Sequence, residues 1–184
     1  MKKLLLIGLF VSSLYSDAKI YLGVNGGVFN EDFRTVDASS SAEMASIKIG
    51  YGIREAYAVE FSVDYFKNKS KVFSSSPTVT TDGDKIGFNV NLMKAFDFGI
   101  YILPFVKVGF GTGFLDIERE LQDRLSYGSF QGSLGCFLPI SEHSDIELGY
   151  EIRGSSYEYI DSIDTKTSHD STINIAYFGI NYRF

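Results

Sequence analysis

The chain has a single cysteine, Cys136, in 184 residues, so no intramolecular disulfide can form. Proline is scarce at three residues, and the two histidines are His143 and His169. Basic residues are outnumbered and the formal charge is −6, which argues against a nucleic-acid partner. Long hydrophobic runs are also missing. Beyond the N-terminus only Ile100–Gly113 approaches one, and there Pro104, Lys107 and three glycines make a helix costly. What is abundant is aromatic, with 16 Phe and 12 Tyr, alongside 18 Gly. Many aromatics and glycines with few prolines fit an all-β chain better than a helical one.

The segment Ala56–Phe66, AYAVEFSVDYF, carries the clearest pattern. Tyr57, Val59, Phe61, Val63 and Tyr65 share one face of an extended strand, and Ala58, Glu60, Ser62 and Asp64 share the other. Helical spacing would scatter the same apolar residues around a cylinder. The segment matches the roughly 9–11 residues of a tilted strand that crosses a bilayer, with an aromatic near each end of its apolar face.

The first residues read as a secretory signal. Lys2 and Lys3 precede the apolar run Leu4–Val11, and Ser16-Asp17-Ala18 offers small residues at the cleavage positions. Residues 1–18 are therefore expected to be removed, leaving residues 19–184 as one domain.

That domain repeats the period-2 pattern. Strands are expected over Lys19–Phe29, Met44–Tyr51, Ala56–Phe66, Lys85–Met93, Ile100–Gly113, Tyr127–Leu138, Asp145–Arg153 and Thr172–Phe184. Phe114–Leu125 carries Ile117, Leu121 and Leu125 at fourfold spacing, which suits a short amphipathic helix or a charged hairpin loop. In the last strand Ile173, Ile175 and Tyr177 sit on the face that should be polar, which suggests a bulge or phase shift. The connections alternate long and short. Eight antiparallel strands joined this way predict an all-β, up-and-down barrel whose closure removes its edges.

Alternation alone does not say which face looks out, since a soluble ligand barrel has the same period. Three features favour apolar residues facing lipid: a polar face of small residues suited to a narrow filled lumen, aromatics near the strand ends, and long loops confined to one end. With the N-terminus on the periplasmic side, three short turns are periplasmic and four long loops extracellular. Lys48, Glu60, Asp64, Lys107, Glu147, Glu151, Arg153 and Arg183 then point inward. Unpaired charges in so narrow a space are expensive, so acid–base pairs are expected, foremost Lys107 or Arg183 with Glu60, Glu147 or Glu151.

The leader, the eight strands and the terminal Asn181-Tyr182-Arg183-Phe184 resemble the small outer-membrane barrel family of the OmpA membrane domain and its relatives. The resemblance implies a barrel in the bacterial outer membrane, in contact with its lipid and lipopolysaccharide. It also implies that the barrel-assembly machinery reads the final strand, where Ile180, Tyr182 and Phe184 alternate. A charged lumen is a feature of the family as well. The implied role is structural or interactive, with a surface ligand for the extracellular loops. A narrow porin-like diffusion channel is the alternative, and a lipid A-modifying enzyme comes third.

Catalytic candidates are few. Ser141-Glu142-His143-Ser144-Asp145 has the residues of a hydrolase, but sequence neighbours rarely form such a triad and the segment falls in a periplasmic turn. His169-Asp170-Ser171 lies on the outer side and resembles part of a lipid A deacylase site. Asp161, Asp164, His169 and Asp170 match no metal-loop spacing. No enzyme activity, cofactor or metal is expected.

Overall fold

In a computed structural model, described for residues 18–34, 39–69, 71–73, 80–118, 123–160 and 167–184, the alternating segments form eight strands. They are β1 (Lys19–Phe33), β2 (Ser39–Ile53), β3 (Tyr57–Phe66), β4 (Lys85–Ala95), β5 (Leu103–Asp116), β6 (Arg124–Pro139), β7 (Ser144–Ile160) and β8 (Thr167–Arg183). Each pairs antiparallel with its sequence neighbour, and β1 also pairs with β8, closing the barrel. Val24 thus faces Ile47 on one side and Ile180 on the other. Closure satisfies every edge, as a sheet surrounded by hydrocarbon requires.

The phase of β3 decides the orientation. Phe61 is 56% exposed and its neighbour Glu60 1%. The same inversion holds on β7, where Leu148 is 42% exposed and Glu147 fully buried. Ile47, Val63, Val108, Leu134 and Phe178 extend this apolar surface around the barrel. A continuous band of that kind is a membrane-facing surface rather than that of a soluble carrier.

Two inward glycines have a packing reason. The Tyr21 ring lies over Gly50, its cross-strand partner, and the Tyr177 ring lies over Gly149. A Cβ at either glycine would overlap the ring, so glycine here makes room for an aromatic inside a narrow barrel.

The strands outrun the membrane band. The expected first strand ends at Phe29, yet β1 continues to Phe33 with Asn30 and Asp32 outward and Glu31 and Phe33 inward. On this end the pattern turns over. Glu43, Asp116, Arg124, Ser126, Ser156 and Glu158 are exposed outside, whereas Phe33, Leu115, Leu125, Tyr127 and Tyr157 pack inside. Beyond the lipid the barrel obeys the ordinary rule of apolar in and polar out, because its surroundings there are water. Much of what the sequence suggests as long loop is therefore strand.

Other expectations are corrected. Phe114–Asp116 closes β5 and Arg124–Leu125 opens β6, so the helical reading of Phe114–Leu125 fails on its described residues. Ile117 and Leu125 both face inward, and the Ile117 N–H donates to the Asp123 carbonyl at 3.0 Å, closing a hairpin. Leu121 lies outside the described residues. Ile100 belongs to a turn over residues 96–102 and not to β5. No bulge occurs at Thr172–Tyr177, where the ladders to β1 and β7 run unbroken. The irregularity sits on β7 between Tyr157 and Ile160. The apolar inward face of β8 has another cause: Ile173 and Ile175 pack with Phe29, Ala42, Met44 and Phe66 in a hydrophobic layer across the lumen.

Candidate functional site

The lumen is built in layers from the short-turn end upward. Its floor is Tyr21, Ala58, Met93, Ala95, Phe105 and Phe137. Arg54, from the β2–β3 turn, lays its guanidinium 4.1 Å from the Phe137 ring centroid and pairs with Asp145 at 2.8 Å. Arg183 reaches the same carboxylate at 3.6 Å from the barrel mouth, with 22% of its side chain exposed.

Above the floor two lysines and two glutamates alternate. Lys107 pairs with Glu60 at 2.6 Å and Glu147 at 2.8 Å. Lys48 contacts Glu147 closely and Glu60 at 3.6 Å. Asn181 donates to Glu147 and Asp145, both at 3.0 Å, joining this layer to the floor.

The third layer centres on Arg153. Its Nη2 lies 2.7 Å from Asp64 and 2.6 Å from Glu151, and its Nε donates to Glu151 at 2.9 Å. Ser46 and Asn89 donate to Asp64, and Ser133 to Glu151. A cavity of about 30 Å³ between these two charged layers has room for one or two water molecules.

The Phe29–Ile175 layer then crosses the lumen. Over it lies a further ion pair, Lys85 with Glu31 at 2.7 Å. Tyr157 and Ser171 each donate to Glu31 at 2.6 Å. The β3–β4 connection caps this cluster. Phe73 packs edge-on against Phe33 at 5.4 Å and beside Tyr157 at 5.1 Å. The Asp82 carboxylate accepts the N–H groups of Val72 and Phe73 at 2.7 and 2.9 Å, holding the ring in place.

Within the barrel the charges pair: among the described residues Lys48, Arg54, Lys85, Lys107 and Arg153 are buried with Glu31, Glu60, Asp64, Asp145, Glu147 and Glu151, and Arg183 at the mouth supplies the sixth cation, while the buried Asp82 of the cap accepts two backbone N–H groups. Such pairing is what makes buried charge tolerable, since each unpaired ion would carry a desolvation cost of several kcal/mol, as an order of magnitude.

Seven of the eight expected lumen residues, Lys48, Glu60, Asp64, Lys107, Glu147, Glu151 and Arg153, meet inside the barrel. Lys107 takes two of its expected partners, Glu60 and Glu147. Arg183 does not join Glu60, Glu147 or Glu151; it sits at the rim beside Asp145. Sequence reasoning missed Glu31, Lys85, Asp145 and Arg54. The first three continue the inward phase of their strands and were detectable by extending the alternation. Arg54 sits in a turn, where period 2 carries no signal. Ile180, Tyr182 and Phe184 lie exposed on the lipid side.

The catalytic candidates separate. Strand alternation sends Asp170 outward while the Ser171 hydroxyl turns inward to Glu31. The His169 ring packs on Phe73 at 5.3 Å. His143 stacks on Tyr182 at 6.0 Å, and Ser141 Oγ accepts the N–H groups of His143 and Ser144, a turn-capping role. Among the described residues no group of three His, Cys, Asp or Glu side chains could hold a metal ion. Asp161 and Asp164 lie outside them.

A closed eight-stranded barrel with an apolar belt and paired lumen charges agrees with the family comparison, in which the model for the outer membrane protein beta-barrel domain matches residues 4–184. The chain belongs to that family. This outer-membrane barrel is similar in structure to Neisserial surface protein A, with a TM-score of 0.70 at 13% identity, covering 92% of this chain and all of the other. It is also similar to Ail, the attachment invasion locus protein of Yersinia pestis, solved with the heparin analogue sucrose octasulfate. That match has a TM-score of 0.53 at 14% identity, over 91% of this chain and 99% of Ail. The N-terminal barrel of Pseudomonas aeruginosa OprF gives a TM-score of 0.52 at 12% identity, over 88% and 97% of the two chains. At these identities the likeness is one of fold. No curated protein matches the sequence.

Proposed function

We propose that this barrel works as a closed structural and surface-interaction protein of the outer membrane. The observation that carries the reading is the lumen, where ion-paired layers alternate with apolar ones and about 30 Å³ of space separates the central layers. Residues 1–18 are removed in the periplasm, both ends of the mature chain stay on that side, and the β1–β2, β3–β4, β5–β6 and β7–β8 connections face outward. The belt is solvated by outer-membrane lipid and lipopolysaccharide, and the assembly machinery reads Ile180, Tyr182 and Phe184.

The extracellular end is the surface for a ligand. Among the described residues its outer collar has an acidic excess, with Asp32, Glu43, Asp116, Glu118, Asp123, Glu158 and Asp170 exposed beside Arg34, Lys67, Lys69, Lys71 and Arg124. Together with the formal charge of −6, this argues against carrying the polyanion seen with Ail over to this chain. An enzyme reading is disfavoured because Ser171 is committed to Glu31 and His169 packs on Phe73.

The test is one purified sample in planar bilayers and in lipopolysaccharide-containing vesicles. The expected result is no discrete conductance and unaltered lipid A. Regular current steps would make it a narrow diffusion channel, and a deacylated or otherwise modified lipid A would make it an enzyme.

A further inference from the structure

The β4–β5 connection, residues 96–102, is the longest on the short-turn end. It reads Phe96-Asp97-Phe98-Gly99-Ile100-Tyr101-Ile102, five large apolar or aromatic residues around one charge. The other two connections on that end are Arg54-Glu55-Ala56 and Ile140-Ser141-Glu142-His143, both polar in the main.

Local geometry turns the apolar side chains outward. Asp97 Oδ1 accepts the Gly99 N–H at 2.8 Å, and Gly99 takes φ +70°, a left-handed conformation that glycine adopts without strain. Phe98, Ile100 and Tyr101 are left 68%, 58% and 70% exposed. The Tyr101 hydroxyl donates to the Pro139 carbonyl, which ties the turn to the end of β6 and brings the exposed Ile140 alongside. Phe98 stacks parallel to Phe96, and the Lys94 ammonium lies 5.7 Å from the Phe96 ring centroid.

This patch continues the lipid-facing rows. On β5 the outward series Phe110, Val108, Val106 and Pro104 runs on at the same spacing through Ile102 and Ile100. On β6 the series Leu134, Cys136 and Leu138 runs on to Ile140. Elsewhere on the rim the rows end at Ile20, Tyr51, Tyr57 and Phe184, with Lys19, Glu55 and Arg183 close by in sequence.

We propose that the β4–β5 turn is a membrane anchor, and that the partner covering Phe98, Ile100, Tyr101 and Ile140 is lipid at the boundary of headgroups and acyl chains. Aromatic rings with a nearby lysine suit that boundary, the lysine reaching back to the headgroups along its own apolar stem. The belt is therefore taller on the β4–β6 side than on the β1–β3 side. That the leaflet is periplasmic rests on the orientation proposed above; burial in lipid does not.

The chain has no tryptophan, so F98W introduces a single fluorophore into the patch. The full barrel is reconstituted in phosphatidylethanolamine–phosphatidylglycerol vesicles made with plain or acyl-brominated lipid, and folding is checked by heat-modifiable mobility. Expected is a blue-shifted emission strongly quenched by the brominated lipid, whereas E142W in the neighbouring turn emits as in water and is not quenched. Water-like, unquenched emission from folded F98W would overturn the proposal. So would a blue shift without quenching, which would mean that a second copy of the chain covers the patch. I140W reads the same patch should F98W not fold. Thiol labelling of turn and loop cysteines in whole cells tests the orientation separately; an inverted barrel would change the leaflet and leave the quenching in place.

Discussion

Arg153→Met asks whether the lumen is dry. Arg153 is the cation of its layer, fully buried, with Asp64 at 2.7 Å and Glu151 at 2.6 Å. Methionine keeps an apolar stem and removes the guanidinium, which sits 5.3 Å from the Phe66 ring centroid, with its charge and donors. Two carboxylates are left facing each other without a counter-ion. In a desolvated site, removing one partner of such a pair costs about 3–5 kcal/mol. That is about two to four powers of ten in the folding equilibrium. In a water-filled pore the same pair would be screened and worth only about 0–1 kcal/mol. The measurement is urea-induced unfolding and refolding in vesicles, followed by tyrosine emission and heat-modifiable mobility. The triple variant D64N/E151Q/R153M is the control. It removes all three charges together and should recover most of the loss, because the penalty comes from the orphaned carboxylates. A loss below about 1 kcal/mol for R153M would refute the reasoning and point to a hydrated channel. So would a triple variant as unstable as the single one, since the arginine would then matter for its packing alone.

Three further outcomes follow from the same geometry. Val63→Arg places a charge on the lipid face of β3, at a cost of about 2–4 kcal/mol if the site is near mid-membrane, and should reduce the folded fraction on gels; normal insertion would contradict the outward phase of Phe61 and Val63. Gly149→Ala drives a methyl into the Tyr177 ring and its hydroxyl and should cost about 1–3 kcal/mol in vesicle unfolding, with at most partial recovery in G149A/Y177F because the ring carbons still overlap. Asp82→Ala removes the acceptor of the Val72 and Phe73 N–H groups, so hydrogen exchange at those two amides should rise by one to two powers of ten, corresponding to about 1–3 kcal/mol, while the strands below keep their protection.

Period-2 alternation, repeated along the chain as in Tyr57–Phe66 and Asp145–Arg153, was enough to specify strands and their number; the small residues of the polar face, the aromatics near the strand ends and the placement of the loops then chose the face that meets lipid. Period 2 is a local property, and a lipid-facing band imposes it without help from distant residues. The inward position of Lys48, Glu60 and Glu147 follows from the same phase. What lay beyond local reading was everything that depends on the surroundings changing along a strand. Asn30–Phe33 looked like loop because outside the bilayer the outward residues turn polar, and the sequence does not mark where the bilayer stops. Ile173 and Ile175 looked like a fault in phase, although they form a layer with Phe29 and Phe66 from strands far away in sequence.

The choice of partners also belonged to the tertiary structure alone. Arg54 reaches Asp145 from a turn, and Lys48 meets Glu147 across 99 residues, because barrel closure sets these side chains opposite each other in a space too narrow for alternatives. Sequence determines which way a strand side chain points, since that is fixed by pleating. Only the closed barrel decides what it meets, since that depends on strand stagger and on the height at which each ring of charge comes to lie.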